Sequence, residues 1–299
     1  MSRPRVAVVG QVARDLVLRV HELPGSRASA KVWERREMLG GKGANQAVGM
    51  VQLGADASLV GVLGDDQVSD QLLVQARDDG VDVGNVVRRP GAESGLIVDL
   101  LVDGEGWRYF EHLAPEVLLR PEDIEAASGA IAAAGTVVLQ MQQPPPSLLL
   151  AARVAKEAGR QVVLDGNPSD EALLGMCDVA RLDSTEASLL AGHEVHDGPS
   201  ALNAARSLVR RGPRLVAVEA GGDGNVLVWD GGESLVPLTK TEVVDTTGGG
   251  DAFVAALVVA LARGEPPAEA GRAATEAAGL VVRRPGGRPS LPPRPDLTY

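Results

Sequence analysis

Apolar and polar residues alternate along this chain at two different spacings. Short runs rich in Val, Leu and Ala, at Val6–Val9, Ser58–Val62, Thr136–Gln140, Gln161–Asp165 and Leu215–Val218, read as strands, because brief apolar runs rich in β-branched residues suit strands buried on both faces. Between them, apolar positions recur with helical spacing over Ala44–Leu53, Gln67–Asp79, Pro146–Ala158, Thr185–Leu190 and Ala201–Arg211. Strands alternating with helices predict an α/β protein with a largely parallel sheet covered on both sides. Ligands of such sheets bind outside the carboxyl ends of the strands.

Two segments break the rhythm. Leu16–Val20 with Lys31–Met38, and Gly95–Val102 with Trp107–His112, alternate strictly and read as strand pairs, the second joined by Asp103-Gly104-Glu105-Gly106. Such pairs form antiparallel ribbons. They predict either a small antiparallel lid or an edge extension of the main sheet. No repeat and no interdomain linker is visible, so the expectation is one domain over 1–299 with inserted lid segments at about 13–39 and 94–114. Arg283–Pro295 is dense in Pro, Gly and Arg, which predicts a surface segment without regular structure.

Composition narrows the classes. The 299 residues are 44% hydrophobic with a formal net charge of −11, which fits a globular domain and disfavours nucleic acid and acidic membranes as partners. The apolar run near the start, Val6–Val9, is too short for a signal-peptide core, and no run approaches a membrane span. With one cysteine, Cys177, no intrachain disulfide is possible. The expected compartment is a reducing cytoplasm. Aromatic residues are only 2% of the chain, so aliphatic residues and Ala build the core.

The chemistry-bearing signals are two glycine-rich helix entrances. In the first, Asp245-Thr246-Thr247-Gly248-Gly249-Gly250-Asp251 precedes an apolar helical run. Glycine amides at a helix start, unhindered by side chains, make an anion site, and a carboxylate beside it is placed to accept a proton from an attacking hydroxyl. The same residues also read as a flexible turn with an ordinary first-turn carboxylate. In the second, Gly40-Gly41-Lys42-Gly43-Ala44-Asn45 adds a cation and an amide. It is not a Walker loop, and no dinucleotide fingerprint occurs. Asp15 is a polar interruption of an apolar stretch. Each of these, alone, also reads as a decorated turn.

Together, Gly40–Ala47, the Gly61–Asp66 turn and Asp245–Phe253 resemble the signature regions of the PfkB-type, ribokinase-like carbohydrate kinases, and the resemblance runs in order from Val6 to Ser290. It implies a ribokinase-like three-layer sandwich with a mostly parallel central sheet and a small antiparallel lid. The implied activity is ATP-dependent phosphorylation of a primary hydroxyl on a sugar or sugar-like compound. A nucleoside kinase of the same family is one alternative, and a non-catalytic sugar or nucleotide sensor is another.

The resemblance assigns Asp251 as base and the amides of Gly248, Gly249 and Gly250 as the hole for developing charge. Asp15, Gly41, Lys42, Asn45 and Gln142 hold the acceptor. Asp183, Glu219, Gly221, Gly222 and Gly224 fall on the nucleotide side, although Gly221–Gly224 also reads as a tight hairpin. Glu186 is implied for Mg2+ through water, and Asp245, Thr247 and Ser290 for a monovalent cation such as K+. A homodimer through the lid is also implied, with an exposed apolar face on Gly95–Val102. Three positions depart from the family pattern: Ala13 and Asp183 stand where it has Asn, and Gln142 where it has Glu. These leave the sugar unassigned. His21, His112, His193 and His196 are expected on the surface or lid, Arg35 and Arg36 on a solvated lid face, and Cys177 in the interior.

Overall fold

A computed structural model describes residues 2–292. The N-terminal strand β1 (Arg5–Val9) leads into β2 (Ala13–Val20) and β3 (Val32–Gly40), then α1 (Lys42–Gln52), β4 (Asp56–Gly64), α2 (Gln67–Asp78) and β5 (Asp82–Arg89). β6 (Gly95–Val102) and β7 (Gly106–His112) follow, and then the alternating series α3 (Pro121–Ala133), β8 (Thr136–Gln140), α4 (Pro145–Glu157), β9 (Gln161–Asp165), α5 (Glu171–Met176) and β10 (Val179–Leu182). The chain continues through α6 (Ser184–Ala191), α7 (Gly198–Val209), β11 (Leu215–Glu219), β12 (Asn225–Trp229), β13 (Gly232–Val236), α8 (Gly249–Ala262) and α9 (Pro267–Val281).

The nine-stranded sheet has the order β13-β12-β11-β10-β9-β8-β1-β4-β5. It is parallel from β11 to β5, with β12 and β13 added antiparallel at one edge. One apolar layer packs α1, α2, α8 and α9 on the sheet, and the other packs α3 through α7. This is why the parallel strands are apolar at nearly every position: both faces are buried. α8 is apolar on all sides, with Ala252–Ala260 buried throughout, as a helix enclosed by the sheet, α1 and α9 must be.

Strand order reverses at β1: β4 and β5 lie on one side, β8 to β11 on the other. Crevices at such reversals, outside the carboxyl ends, are natural ligand sites. Gln11, just after β1, donates its amide to Gln140 Oε1 at the end of β8 (3.3 Å).

The two irregular segments form a separate sheet, β3-β2-β6-β7. This is the lid reading, not the edge extension. Each pair is antiparallel, and the two pairs are joined by parallel pairing of β2 with β6, a seam that alternation alone does not reveal. Along β6, Leu96, Val98 and Leu100 are half-buried while their neighbours are buried.

The chain end needs correction. Residues 283–292 have no regular structure, as expected, yet Gly286, Gly287, Pro289 and Leu291 are buried. The segment is wedged between lid and body: a Cβ on Gly286 would meet Val17 and Met38 of the lid. Pro293, Arg294 and Pro295 lie outside the described residues. Cys177 is buried, and burial pushes its thiol up to about 12.

Candidate active site

The site forms where α1 and α8 begin. Gly248 caps α8 with φ 77°, a conformation open to glycine with little strain, and a Cβ there would run into the carbonyl of Gly287. The first turn therefore keeps bare amides next to Asp251, which is buried. Asn45 and Gln46 reach across from α1: Asn45 Nδ2 donates to Asp251 Oδ2 (3.3 Å) and Gln46 Nε2 to Oδ1 (3.1 Å). Gln46 Nε2 also donates to Asp165 Oδ2 at the end of β9 (2.7 Å).

Burial pushes the Asp251 carboxyl up to about 6, with Asp165 adding to the shift and Lys42 and the two amides restraining it. At neutral pH it is ionised, yet its pKa is close enough to accept a proton usefully. Burial opposes the charge on Lys42, but Asp165, Asp251 and Glu186 outweigh it and hold its pKa above the ordinary value.

A cavity of about 400 Å³ opens over these residues, lined among others by Asp15, Gly41, Lys42, Asn45, Gln142 and Asp251. Asp15 lies on β2 of the lid. A residue larger than glycine at position 40 would collide with its carboxylate. Burial first, then the charges of Asp99 and Asp251, raise Asp15 to about 8, against a restraining hydrogen bond from the Gly41 amide. Asp15 Oδ1, Asn45 Oδ1 and Gln11 Nε2 are buried and without a hydrogen-bond partner. All three residues line this cavity. Unsatisfied buried donors and acceptors around one hollow fit a ligand rich in hydroxyl groups.

A second cavity, about 420 Å³, lies on the other side of the α8 entrance, with Gly221, Asn225, Thr239, Gly249, Thr275 and Val282 in its lining. The two cavities share Arg181, Glu219, Thr246 and Gly250. They are two ends of one cleft. A wider depression, about 570 Å³, lies at the amino ends of β9, β10 and β11, among Lys156, Gln161, Asp178 and Leu215. It includes neither glycine-rich helix entrance.

Most residues expected in the site converge there, and a few do not. Gly222 and Gly224 line neither cavity. Gly224 (φ 118°) is held to glycine by the Val236 carbonyl, so it shapes the β11–β12 hairpin. Asp183 lines the first cavity and caps α6, where Glu186 returns a carboxylate oxygen to the Asp183 amide in a capping box. Asp245 is buried, its oxygens accepting from the amides of Thr247 (2.9 Å) and Gly286 (2.8 Å). Thr247 lines the first cavity. Ser290 is exposed, bonded by Arg284 (2.7 Å), and shares no hydrogen bond with Asp245 or Thr247. Arg35 and Arg36 are both exposed and pair with Glu37 and Glu34 on opposite faces of β3, and His21 pairs with Asp103 (2.8 Å) away from the cleft.

Sequence reasoning missed Gln46, Asp165, Asp99, Trp107, Tyr109 and Arg181. Arg181 carried a readable signal, as a charge inside the apolar strand Val-Ala-Arg-Leu. Trp107 and Tyr109 alternate on β7 and line the first cavity, although the chain holds only three Trp and two Tyr. Asp99 carried the same signal as Arg181, as the one charge inside the apolar strand β6.

Comparison with known proteins agrees with this geometry. The family model described as pfkB family carbohydrate kinase matches residues 3–294. The chain is 32% identical to the ribokinase of Arabidopsis thaliana, covering 97% of this chain and 79% of that one. It is 30% identical to a bifunctional ribokinase/ribose-5-phosphate isomerase A of Fructilactobacillus sanfranciscensis, of whose length it spans 55%. Among solved structures, Arabidopsis thaliana ribokinase complexed with ribose and ATP superposes with a TM-score of 0.83 at 28% identity, over 98% of this chain and 96% of that one. With two glycine-gated helix entrances facing one cleft and a family match over almost its full length, the chain is a ribokinase-like member of the pfkB family of carbohydrate kinases.

Proposed function

We propose that this ATP-dependent sugar kinase moves the γ-phosphate of ATP to a primary hydroxyl of a sugar held under the lid, with Asp251 as general base. The observation that carries this is the buried carboxylate of Asp251 in the first turn of α8, aimed by Asn45 and Gln46 into a cavity lined with unpartnered polar atoms. Asp15, Asn45 and Gln142 bind acceptor hydroxyls. The amides of Gly248, Gly249 and Gly250 receive charge developing on the phosphoryl group. The nucleotide lies in the second cavity, along Glu219 and Gly221.

The donor set fits magnesium. Glu186 is raised by burial and then by Asp165, a repulsion that a divalent ion would relieve. A magnesium ion bound to the phosphates, and to Glu186 through water, would supply charge neutralisation. No three-carboxylate cage is found among the described residues. A monovalent cation such as K+ would be held at Asp245 and Thr247, with Ser290, which accepts from Arg284, apart from them. The apolar outer positions of the lid, Leu96, Val98 and Leu100 with exposed Phe110 beside them, support a homodimer through the lid. Among the described residues no helix is long and apolar enough to cross a membrane, which is compatible with the cytoplasm.

A nucleoside acceptor is the second reading, favoured by Trp107 and Tyr109 in the cavity lining, whose rings suit a planar base. The test is ATP turnover on pentoses, hexoses and nucleosides. Asp251→Asn is expected to lower kcat by about 10²–10⁴-fold on whichever acceptor is used. Equal rates in the two proteins would remove Asp251 from the chemistry.

A further inference from the structure

Arg181 occupies the seam between the two cavities. It is the only cation among the four residues that line both, so it is the positive charge that the seam offers to a phosphoryl group passing from nucleotide to acceptor. Lys42 lines the acceptor cavity alone.

β10 places Arg181 there by strand alternation. Ala180 and Leu182 pack into the layer of α3 to α7, while Val179 joins the layer of α8. Arg181, two residues on from Val179, emerges on that same face at the carboxyl end of the strand. Its guanidinium lies over Phe253, 6.0 Å from the ring centroid. It also lies against the first turn of α8: a Cβ on Gly250 would stand 3.0 Å from both Nη1 and Nη2. The third glycine of the anion site thus has a second reason to be glycine, since a side chain would displace the cation.

The partners of Arg181 hold it without saturating it. Asp165 lies 3.4 Å from Nη1 and Glu219 3.9 Å from Nη2, whereas a tight charge-assisted bond is about 2.7–2.9 Å. A guanidinium offers five N–H donors, so capacity remains for an anion. Burial disfavours its charge, but Asp165, Glu186, Glu219 and Asp183 together hold its pKa above the ordinary value. Those carboxylates, with Asp251, make the cleft acidic on the side where a polyanionic phosphate chain must lie. Lys42 opposes that field from the acceptor side, and the α8 amides oppose it from the seam, where Gly250 lines both cavities and Gly249 the second.

We propose that Arg181 is a further catalytic residue, donating N–H groups to the non-bridging oxygens of the transferring phosphoryl group, with Asp165 and Glu219 as its positioning residues. This rests on the kinase reading above. In the step, the acceptor oxygen bonds to the γ-phosphorus while its proton passes to Asp251. The bond from the γ-phosphorus to the β–γ bridging oxygen breaks, and its electron pair leaves on ADP. Arg181 stays protonated and contributes charge and geometry.

The test uses the full chain and the acceptor it turns over fastest. Arg181→Gln and Arg181→Ala are expected to lower kcat by about 10²–10³-fold with acceptor KM within about threefold. Arg181→Lys should retain more activity than Arg181→Gln, having charge without the planar fork. Millimolar guanidinium chloride, and not sodium chloride, should restore part of the Arg181→Ala rate, a response that a purely structural role would not give. A kcat within about threefold of wild type in a folded Arg181→Gln protein would overturn the proposal, as would a rate loss that guanidinium leaves unchanged.

If those variants do not fold, the wild-type chain crystallised with ADP and aluminium fluoride decides. A guanidinium nitrogen about 3 Å from fluoride supports the assignment, and separation beyond hydrogen-bond reach ends it. Failure of the wild type on every acceptor would count against the kinase reading, whereas turnover that is indifferent to Arg181 would count only against this residue.

Discussion

The entrance of α8 and the inner face of the lid both present buried carboxylates to the cleft, and they treat them differently. Asp251 is held on both oxygens by Asn45 and Gln46, and Asp245 on both by backbone amides. On the lid, Asp15 has one oxygen without a partner, and Asp99 is wholly buried with neither oxygen bonded. Asp99 stands across from Tyr109 and Val17 in the sheet, two pairs along from Asp15 and Ile97 and so on the same face. The body-side carboxylates are bonded before ligand arrives, while those of the lid carry an unmet demand for donors. A reaction governed by positioning needs its reacting groups fixed in advance, and on the reading proposed above Asp251 is such a group. A lid that closes over substrate can leave its donors to be supplied by the ligand.

The largest structural break is expected on the organised side. Gly248→Ala sets a side chain against the Gly287 carbonyl at φ 77°, and should remove about 2–4 kcal/mol of stability together with most activity. Chemical denaturation and turnover measure both. A stable, active variant would show that the α8 entrance tolerates displacement.

On the lid side the expected change is a gain. Burial and then Asp245 raise Asp99 from 3.8 to about 6. A carboxyl raised on folding favours the folded state most when protonated, so its contribution is present below about 4 and is lost as pH rises through about 6. Asp15 behaves likewise up to about 8. Asp99→Leu should therefore stabilise the protein by about 1–3 kcal/mol at pH 8 and by less near pH 4. Urea titrations at the two pH values check it. A loss of stability at pH 8 would mean that Asp99 has a partner in solution.

The smallest effect on chemistry belongs to the outer face of the same sheet. Phe110→Asp, opposite Val98 in the register, should convert a dimer to a monomer by light scattering with little change in folding. A wild-type monomer at micromolar concentration would separate the lid from any assembly role.

Much of this was legible in the chain itself. Strands such as Thr136–Gln140 and Gln161–Asp165 were readable to the residue, because parallel strands buried on both faces must be apolar throughout. The glycine-rich entrances were also visible, since few residue types leave backbone amides bare at a helix start. The chain end was misread as mere covering, because its Pro and Gly content conceals that Gly286 supplies the amide bonded to Asp245.

Local sequence, then, determined the layers, the two glycine-rich helix entrances and the strand pairs that break the main rhythm, as each depends on periodicity or on the special stereochemistry of glycine; that those pairs form a separate sheet was decided by the fold. Only the tertiary structure decided that Gln46 joins Asp165 to Asp251, that β2 and β6 run parallel, and that Arg181 lies where the two cavities meet. Those facts depend on which strand ends and helix entrances meet at the reversal of strand order, and spacing along the chain does not encode distances across the sheet.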